Sequence, residues 1–423
     1  MTPLQSIKGF KDILPEESEL WQAIESQAKI VFRHFGFREI RLPMLEKTEL
    51  FARSIGESTD IVEKEMYTFQ DRGGDLLTMR PEATAGIVRA YLQHKLYARD
   101  ATHKFYTIGP MFRRERPQKG RYRQFSQINA EIFGVASAYA DVQLILVLVH
   151  LMNTLGVSDA TPHINSLGCP ACRPAFRQAL KDFLAPLDDR LCSDCLRRRD
   201  TNPLRVLDCK VPGCREATTG APSLADFLCG ECREHFTIVR QALDARGVAY
   251  TIDPRLVRGL DYYVRTTFEI QTGALGAQNA IAGGGRYDGL ARALGGPDIP
   301  ATGFAVGLDR LAEIVGQLQR PAPPELTLYI AALGAEAQAR AFQWLARLNL
   351  AGITADMEFG DKSLKSQMKR ADKLGAVHVL LFGEQEQQQG AAILRNMATK
   401  EQVAIPVDGL ADRLIERFGK TGG

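Results

Sequence analysis

The segment from Gly109 to Gly134, GPMFRRERPQKGRYRQFSQINAEIFG, holds five arginines, two glutamates and three phenylalanines. Arg113, Arg114, Arg116, Arg121 and Arg123 flank Gly120, so a hairpin folded here would carry guanidinium groups on both of its arms. Guanidinium is planar, permanently charged and forked, which suits bidentate contact with phosphate oxygens. The chemistry that fits the run is the binding of a buried triphosphate and the activation of a carboxylate against it.

Three further patterns carry chemistry. Arg258-Gly259-Leu260-Asp261-Tyr262-Tyr263 sets an arginine beside a glycine that permits close backbone approach and two tyrosines able to wall a small polar ring. Ala282 to Gly289, AGGGRYDG, is glycine-rich but lacks a Gly-Lys-Ser/Thr ending, so no phosphate loop is read from it. Its glycines serve either a pocket lining or tight strand packing. All eight cysteines lie between Cys169 and Cys232, as the pairs Cys169 and Cys172, Cys192 and Cys195, Cys209 and Cys214, and Cys229 and Cys232. This clustering is unlike the dispersed usage of a disulfide-stapled secreted chain and suits two closed tetrathiolate zinc sites of a structural kind. Free thiols or redox-labile pairs are the other reading, and spacing does not say which pairs share a site.

The elements that position these residues read as several domains, as 423 residues with 45% hydrophobic and 24% charged residues allow. Helical spacing over Glu17 to Phe35 is followed by a period-two run from Phe37 to Leu42 that stops at Pro43. Residues 1–165 and 241–318 form two parts of one α+β domain, interrupted by a cysteine-rich insertion at 166–240. Phe268-Glu269-Ile270 reads as a strand and a helix begins near Gly307. Residues 319–325 are a proline-rich linker, and 326–423 form a small α/β domain with strands at 326–332, 353–357 and 377–382 and helices near 335–350 and 362–374. A net charge of +3 is too mild to announce a nucleic-acid protein by itself. The N-terminus has no apolar signal core, and the longest strongly apolar run, Leu144 to Val149, is far short of the ~20 residues that span a bilayer, so a cytoplasmic chain with no membrane partner is expected.

Phe112-Arg113-Arg114-Glu115 followed by Gly120-Arg121-Tyr122-Arg123-Gln124-Phe125 resembles motif 2 of class II aminoacyl-tRNA synthetases, and the run ending in Pro43 resembles motif 1. Gly307-Leu308-Asp309-Arg310 resembles motif 3, and the hexapeptide Arg258 to Tyr263 resembles the signature loop of the histidyl-tRNA synthetase family, bacterial type. The resemblance extends from Gly9-Phe10-Lys11-Asp12 into the C-terminal region. It implies an antiparallel-sheet catalytic domain, an anticodon-binding C-terminal domain, a homodimer joined through motif 1, and ATP-dependent attachment of L-histidine to tRNA, with Mg2+ accompanying ATP.

Residue by residue, the resemblance makes Arg113 and Arg258 catalytic cations on the α-phosphate. Glu115 and Phe125 would hold adenine, with Arg121 and Arg310 on the outer phosphates. Histidine would be held by Glu82, Ala83 and Thr84 of the loop beginning at Met79, together with Arg113, Gln127, Glu131, Arg258, Tyr262, Tyr263 and Tyr287. Glu82 is also readable as an ordinary acid at a helix start. Arg116, Gln118 and Lys119 would approach the tRNA acceptor end. Lys362, Lys365, Lys369 and Lys373 form one basic helical face, suited to phosphates or simply solvated. Arg197 to Arg199 allow the same two readings. Many relatives have histidine in place of Ser126 and glycine in place of Ala83, and many have an insertion without these cysteines, so a metal there is not implied by the family. A non-catalytic histidine-sensing regulatory subunit of ATP phosphoribosyltransferase shares the catalytic fold and is the rival reading.

Overall fold

Pro15 opens the first long helix because its fixed φ suits the first helical position, where its missing N–H costs nothing. In the computed structural model, which describes residues 3–56, 59, 61–117, 120–273, 279–318 and 325–419, this helix, α1, runs Pro15–His34. It buries Trp21, Ile24, Ala28, Val31 and Phe32, a stripe at helical spacing. The following strand β1 is only Arg38–Glu39, shorter than the alternation from Phe37 to Leu42 predicts. It pairs parallel with a neighbour as far as one bond from Ile40 N–H to Tyr106 O at 2.8 Å. The chain then leaves the sheet toward Pro43, which has no N–H to give.

Strands β2 (Leu45–Lys47), β3 (Tyr67–Gln70) and β4 (Leu76–Met79) form a small antiparallel sheet around helix α2 (Thr48–Ile55), and helix α3 (Thr84–Gln93) follows. Strands β5 (His103–Phe112) and β6 (Gln124–Phe133) pair antiparallel from His103 opposite Phe133 to Phe112 opposite Gln124. The five arginines of the run therefore flank the hairpin tip just beyond the strand ends, where the Arg113 N–H still donates to Arg123 O at 2.9 Å, rather than lying along the paired strands. The arms are committed to packing: Ile128, Ala130 and Ile132 of β6 alternate into the main core.

Helix α4 (Ala138–Thr154) and strand β7 (Thr161–Ser166) lead into the cysteine module. The module comprises α5 (Arg173–Leu184), α6 (Ser193–Thr201), a turn at Pro203–Val206, α7 (Pro212–Ala217) and α8 (Gly230–Ala245). Its small core gathers Phe176, Leu180, Leu184 and Val206 with the cysteines. Residue 240, the expected end of the insertion, falls inside α8, whose Val239 and Leu243 pack in the main core.

Strands β8 (Thr251–Ile252), β9 (Val264–Gln271), β10 (Ala280–Arg286) and β11 (Ala301–Gly307) complete the sheet, with a short helix α9 (Leu290–Ala293) before β11 and helix α10 (Leu308–Leu318) after it. The sheet order is β1-β5-β6-β11-β10-β9-β7-β8, antiparallel except at β1 with β5 and β7 with β8. Residues of α1, α4, α8 and α10 share one apolar core against its inner face. The chain divides into units Met1–Pro321 and Ala322–Gly423, and most of the proline-rich linker lies outside the described residues.

The elements of the second unit run β12 (Leu328–Ala332), α11 (Ala335–Leu350), β13 (Ala355–Met357), α12 (Leu364–Lys373), β14 (His378–Phe382), α13 (Glu384–Gln389), β15 (Ala391–Asn396), β16 (Gln402–Pro406) and α14 (Leu410–Phe418). Its strands form a mixed sheet in the spatial order β13-β12-β14-β15-β16. The expected βα alternation holds through β14, and an antiparallel pair then closes one edge. Among the described residues no helix is long and apolar enough to cross a membrane.

Candidate active site

The sheet face opposite the helices is floored by small residues. Gly283 pairs with Ala305 and Gly285 with Gly303, while Glu131 and Gln127 of β6 stand opposite Gly303 and Gly307. A Cβ on Gly303 would sit 1.4 Å from Glu131 Oε2, and one on Gly283 would sit 2.3 Å from Arg258 Nη1. The glycines thus leave room for a carboxyl and a guanidinium to lie against the sheet. Of the two readings of the glycine-rich run, strand packing is realised at Gly284, where a Cβ would approach Gly303 O to 2.2 Å. Pocket lining is realised at Gly283.

On this floor lies a cleft of about 260 Å³ lined by Arg113, Glu115, Arg121, Phe125, Arg258 and Arg310 among others. Arg113 donates from Nε to Pro81 O at 2.8 Å, and its guanidinium stacks 5.3 Å from the Phe125 ring centre. Burial, with the nearby positive charge of Arg258, pulls Arg113 below its ordinary value. Arg258 forms an ion pair with Glu269 and lies 5.8 Å from the Tyr263 ring centre. Burial opposes its charge, but Glu269 and the adjacent tyrosines outweigh that and hold it above the usual value. Arg310 donates to Ala280 O at 2.9 Å and Gly120 O at 3.3 Å. Arg121 is ion-paired with Glu115, so the residues expected on outer phosphate and adenine engage each other here.

Beside the cleft, Glu131 is fully buried and accepts from Thr84 Oγ1 at 2.7 Å and from the Tyr287 hydroxyl at 2.6 Å. Tyr262 lies 4.6 Å from Tyr263 and 5.6 Å from Tyr287, ring centre to ring centre, so the three phenols form one cluster beside Glu131. Glu82 accepts from the N–H groups of Thr84 at 2.6 Å and Ala85 at 2.9 Å at the start of α3, with Ala83 buried between. The helix-start reading of Glu82 is thus realised, although its carboxylate also faces the charge of Arg113. Gln127 Oε1 and Asn129 Oδ1 are buried without a hydrogen-bond partner among the described residues. Asn129 and Glu269 are absent from the sequence-predicted site. The period-two register through Gln127 and Glu131 marks Asn129, whereas nothing local to Glu269 marks it.

Burial pushes the Glu131 carboxyl from its ordinary 4.5 up to about 8, against the pull of the Tyr287 and Thr84 hydroxyls. The folded protein then holds a proton that the unfolded chain has lost above its ordinary value. The stability of the ligand-free protein is therefore expected to fall as pH rises from about 4.5 to about 8. The slope contributed is at most about 1.4 kcal/mol per pH unit. In Glu131→Gln that part of the slope should vanish, which urea midpoints of the two proteins across this window would measure.

Of the residues expected at the acceptor end, Arg116 is exposed, and Gln118 and Lys119 lie outside the described residues. The four lysines from Lys362 to Lys373 are all exposed. The cysteines gather as Cys169, Cys172, Cys229 and Cys232, and as Cys192, Cys195, Cys209 and Cys214. The outer two sequence pairs thus share one group and the inner two the other. Within each, the sulfurs lie within 4.8 Å of one another, so each group can hold a metal ion.

An antiparallel sheet backed by helices, with arginines over a glycine-floored cleft, is the catalytic architecture of a class II aminoacyl-tRNA synthetase. Residues 9–311 match the family model described as histidyl-tRNA synthetase, and residues 327–417 match that of an anticodon binding domain. The chain is 60% identical over 420 residues to a histidine–tRNA ligase of Desulforapulum autotrophicum, covering 99% of each. The crystal structure of the apo S. aureus histidyl-tRNA synthetase superposes with a TM-score of 0.82 at 35% identity, covering 99% of this chain and 100% of that one. A Bacillus halodurans structure titled as an ATP phosphoribosyltransferase regulatory subunit/histidyl-tRNA synthetase has a TM-score of 0.67 over 91% of this chain and 99% of that one, but at 20% identity it shares the fold alone. The chain belongs to the histidyl-tRNA synthetase family.

Proposed function

We infer that the chain activates histidine with ATP to histidyl-adenylate and transfers the histidyl group to tRNA, releasing diphosphate and AMP. The observation that carries this is that the arginine cleft over Gly283 adjoins the buried cluster of Glu131, Tyr262, Tyr263 and Tyr287, with the Arg258 guanidinium lining the one and lying 5.8 Å from the Tyr263 ring centre of the other. The histidine carboxylate attacks the α-phosphorus in line, and charge grows on the equatorial oxygens. Arg113 and Arg258 supply fixed positive charge there without reorganisation. Phe125 and Glu115 receive adenine, and Arg121 and Arg310 steady the outer phosphates once Arg121 turns from Glu115. The Mg2+ used by the class travels with the nucleotide. Glu131, Gln127 and the tyrosine hydroxyls match the two imidazole nitrogens with donors and acceptors, while Glu82 and Thr84 meet the α-amino group.

Purified protein should exchange pyrophosphate into ATP only when histidine is added, and should charge tRNA with histidine. Histidine binding without exchange would overturn this reading in favour of the regulatory one, which identity to a named ligase along the whole chain does not favour.

Further parts of the reading are proposals too. The segment from residue 166 into α8 acts as an insertion in a catalytic domain formed by the rest of 1–318, with the C-terminal half of α8 packing in the main core, and 326–423 bind the anticodon through the exposed lysines about α12. Arg116, Gln118 and Lys119 meet the acceptor end. Exposed Met44, Leu45, Phe69 and Leu76, on and beside the small sheet, support dimerisation near motif 1, which a monomer mass by sedimentation equilibrium would rule out. Each cysteine group holds a structural zinc ion.

A further inference from the structure

We propose that the cysteine module is a metal-set brace on the loop 258–263, so that zinc at the Cys192, Cys195, Cys209 and Cys214 site determines histidine affinity. The proposal rests on the zinc reading above. Four thiolates about 2.3 Å from one zinc ion stand at the corners of a tetrahedron with edges of about 3.8 Å. Cys169 Sγ lies 3.6 Å from Cys172 Sγ and 3.9 Å from Cys229 Sγ, and Cys192 Sγ lies 3.9 Å from Cys209 Sγ. All eight cysteines are free of disulfides. In each group a backbone N–H points at a sulfur, Cys192 to Cys214 Sγ at 3.1 Å and Cys229 to Cys172 Sγ at 3.2 Å, the outer support that metal-bound thiolates use.

The module reaches the histidine loop at discrete points. Asn202 Nδ2 donates to Asp261 Oδ1 at 2.8 Å. Arg173, which directly follows Cys172, donates to Tyr263 O and to Leu167 O. Leu167 N–H donates to Arg265 O at 2.7 Å, and Arg265 N–H donates to Gly168 O at 2.8 Å. Arg265 has φ +50°, a conformation that non-glycine residues keep only when their surroundings impose it. Between module and loop lies a cleft of about 310 Å³ lined by Arg173, Asn202, Asp261 and Tyr263 among others, so the two are tied by these hydrogen bonds together with the apolar contact of Leu204 rather than by a continuous packed interface.

Asn202 lies between Cys195 and Cys209, at the end of α6 and before the turn at Pro203–Val206. A metal joining those cysteines fixes both ends of the segment that carries it. Without the metal, the buried cysteines of this core lose the ion that joins them, the segment from Cys195 to Cys209 is tied at neither end, and the donor to Asp261 is no longer held. Arg258 is held chiefly by its ion pair with Glu269 of β9, although Asp208 and Cys209 of the module share a cavity with Glu269, and the cleft floor belongs to the sheet. Displacement therefore falls on Asp261 to Tyr263, which carry two tyrosines of the cluster beside Glu131, and spares the nucleotide half.

The test is metal content of the full-length chain together with KM values for histidine and ATP in pyrophosphate exchange. The parent should hold two zinc ions. Cys209→Ser should keep one and raise the histidine KM about tenfold, with the ATP KM little changed. Asn202→Ala should keep both ions and reproduce the rise, which decides the matter if Cys209→Ser does not fold. A parent without zinc after purification in zinc-containing buffer overturns the zinc reading and the brace with it. Two zinc ions in the parent, with the histidine KM unmoved in Asn202→Ala or moving together with that for ATP, overturn the brace alone.

Discussion

Replacing Arg258 by alanine is expected to lower histidine-dependent pyrophosphate exchange by about 10³-fold, mostly in kcat, while the fold survives. The guanidinium lies over Gly283, where any Cβ would collide with it, and faces the same cleft as Arg113. In the proposed reaction, two cations on different sides of the α-phosphate would divide the charge that develops in the transition state, and alanine removes one outright. Lysine should not restore the rate, since a point charge cannot reproduce a planar fork held between Glu269 and Tyr263. The competing account is that Arg258 only neutralises Glu269. Arg258→Ala with Glu269→Gln separates the two, because activity returning in the double variant would make the arginine a partner of Glu269 rather than a catalytic cation. Circular dichroism matching the parent would show that the loss is not one of folding.

The site was legible in the sequence where one short segment carries both the residue type and its neighbour. Arg113 precedes Glu115, Arg258 precedes Gly259 and two tyrosines, and Arg310 opens a helix, and all three arginines line one cleft. What escaped depends on register between distant strands. Gly303 faces Glu131 across a ladder, so its lack of a side chain makes sense only once the pairing is known. Glu269 meets Arg258 only after β9 has formed, and the grouping of the cysteines requires α8 to return beside Cys169. Charge along the sequence does not show where strand pairing stops: the ladder ends at Phe112 and Gln124, one rung short of Arg113 and Arg123. The β1 alternation likewise continues past the point where the sheet supplies a partner.

Removing the Asp141 carboxylate is expected to cost about 3–5 kcal/mol of stability and to lower the thermal midpoint by roughly 10 °C, although the residue touches no part of the cleft. Asp141 of α4 and Arg286 of β10 are both fully buried, with Arg286 Nε 3.2 Å from Asp141 Oδ2. His235 of α8 shares that oxygen at 2.6 Å, and Arg286 also donates to Val135 O at 2.9 Å and Ser137 O at 3.0 Å. Burial opposes the Asp141 charge, but the His235 hydrogen bond and the Arg286 guanidinium outweigh it and hold the carboxyl below its usual value. Stability from a depressed carboxyl is present above the unfolded value, near pH 4, and is lost as pH falls through the folded one. Asp141→Ala should therefore be markedly less stable than the parent at pH 7, by urea midpoint, with the gap narrowing only in strong acid. A gap below about 1 kcal/mol at pH 7 would mean that Asp288, 3.1 Å from Arg286 Nη1, suffices as its partner. The expectation of a large loss follows from the geometry: Asp288 is partly exposed, while Asp141 binds together the returning helix of the cysteine module, the main helical layer and the strand whose next residue, Tyr287, donates to Glu131.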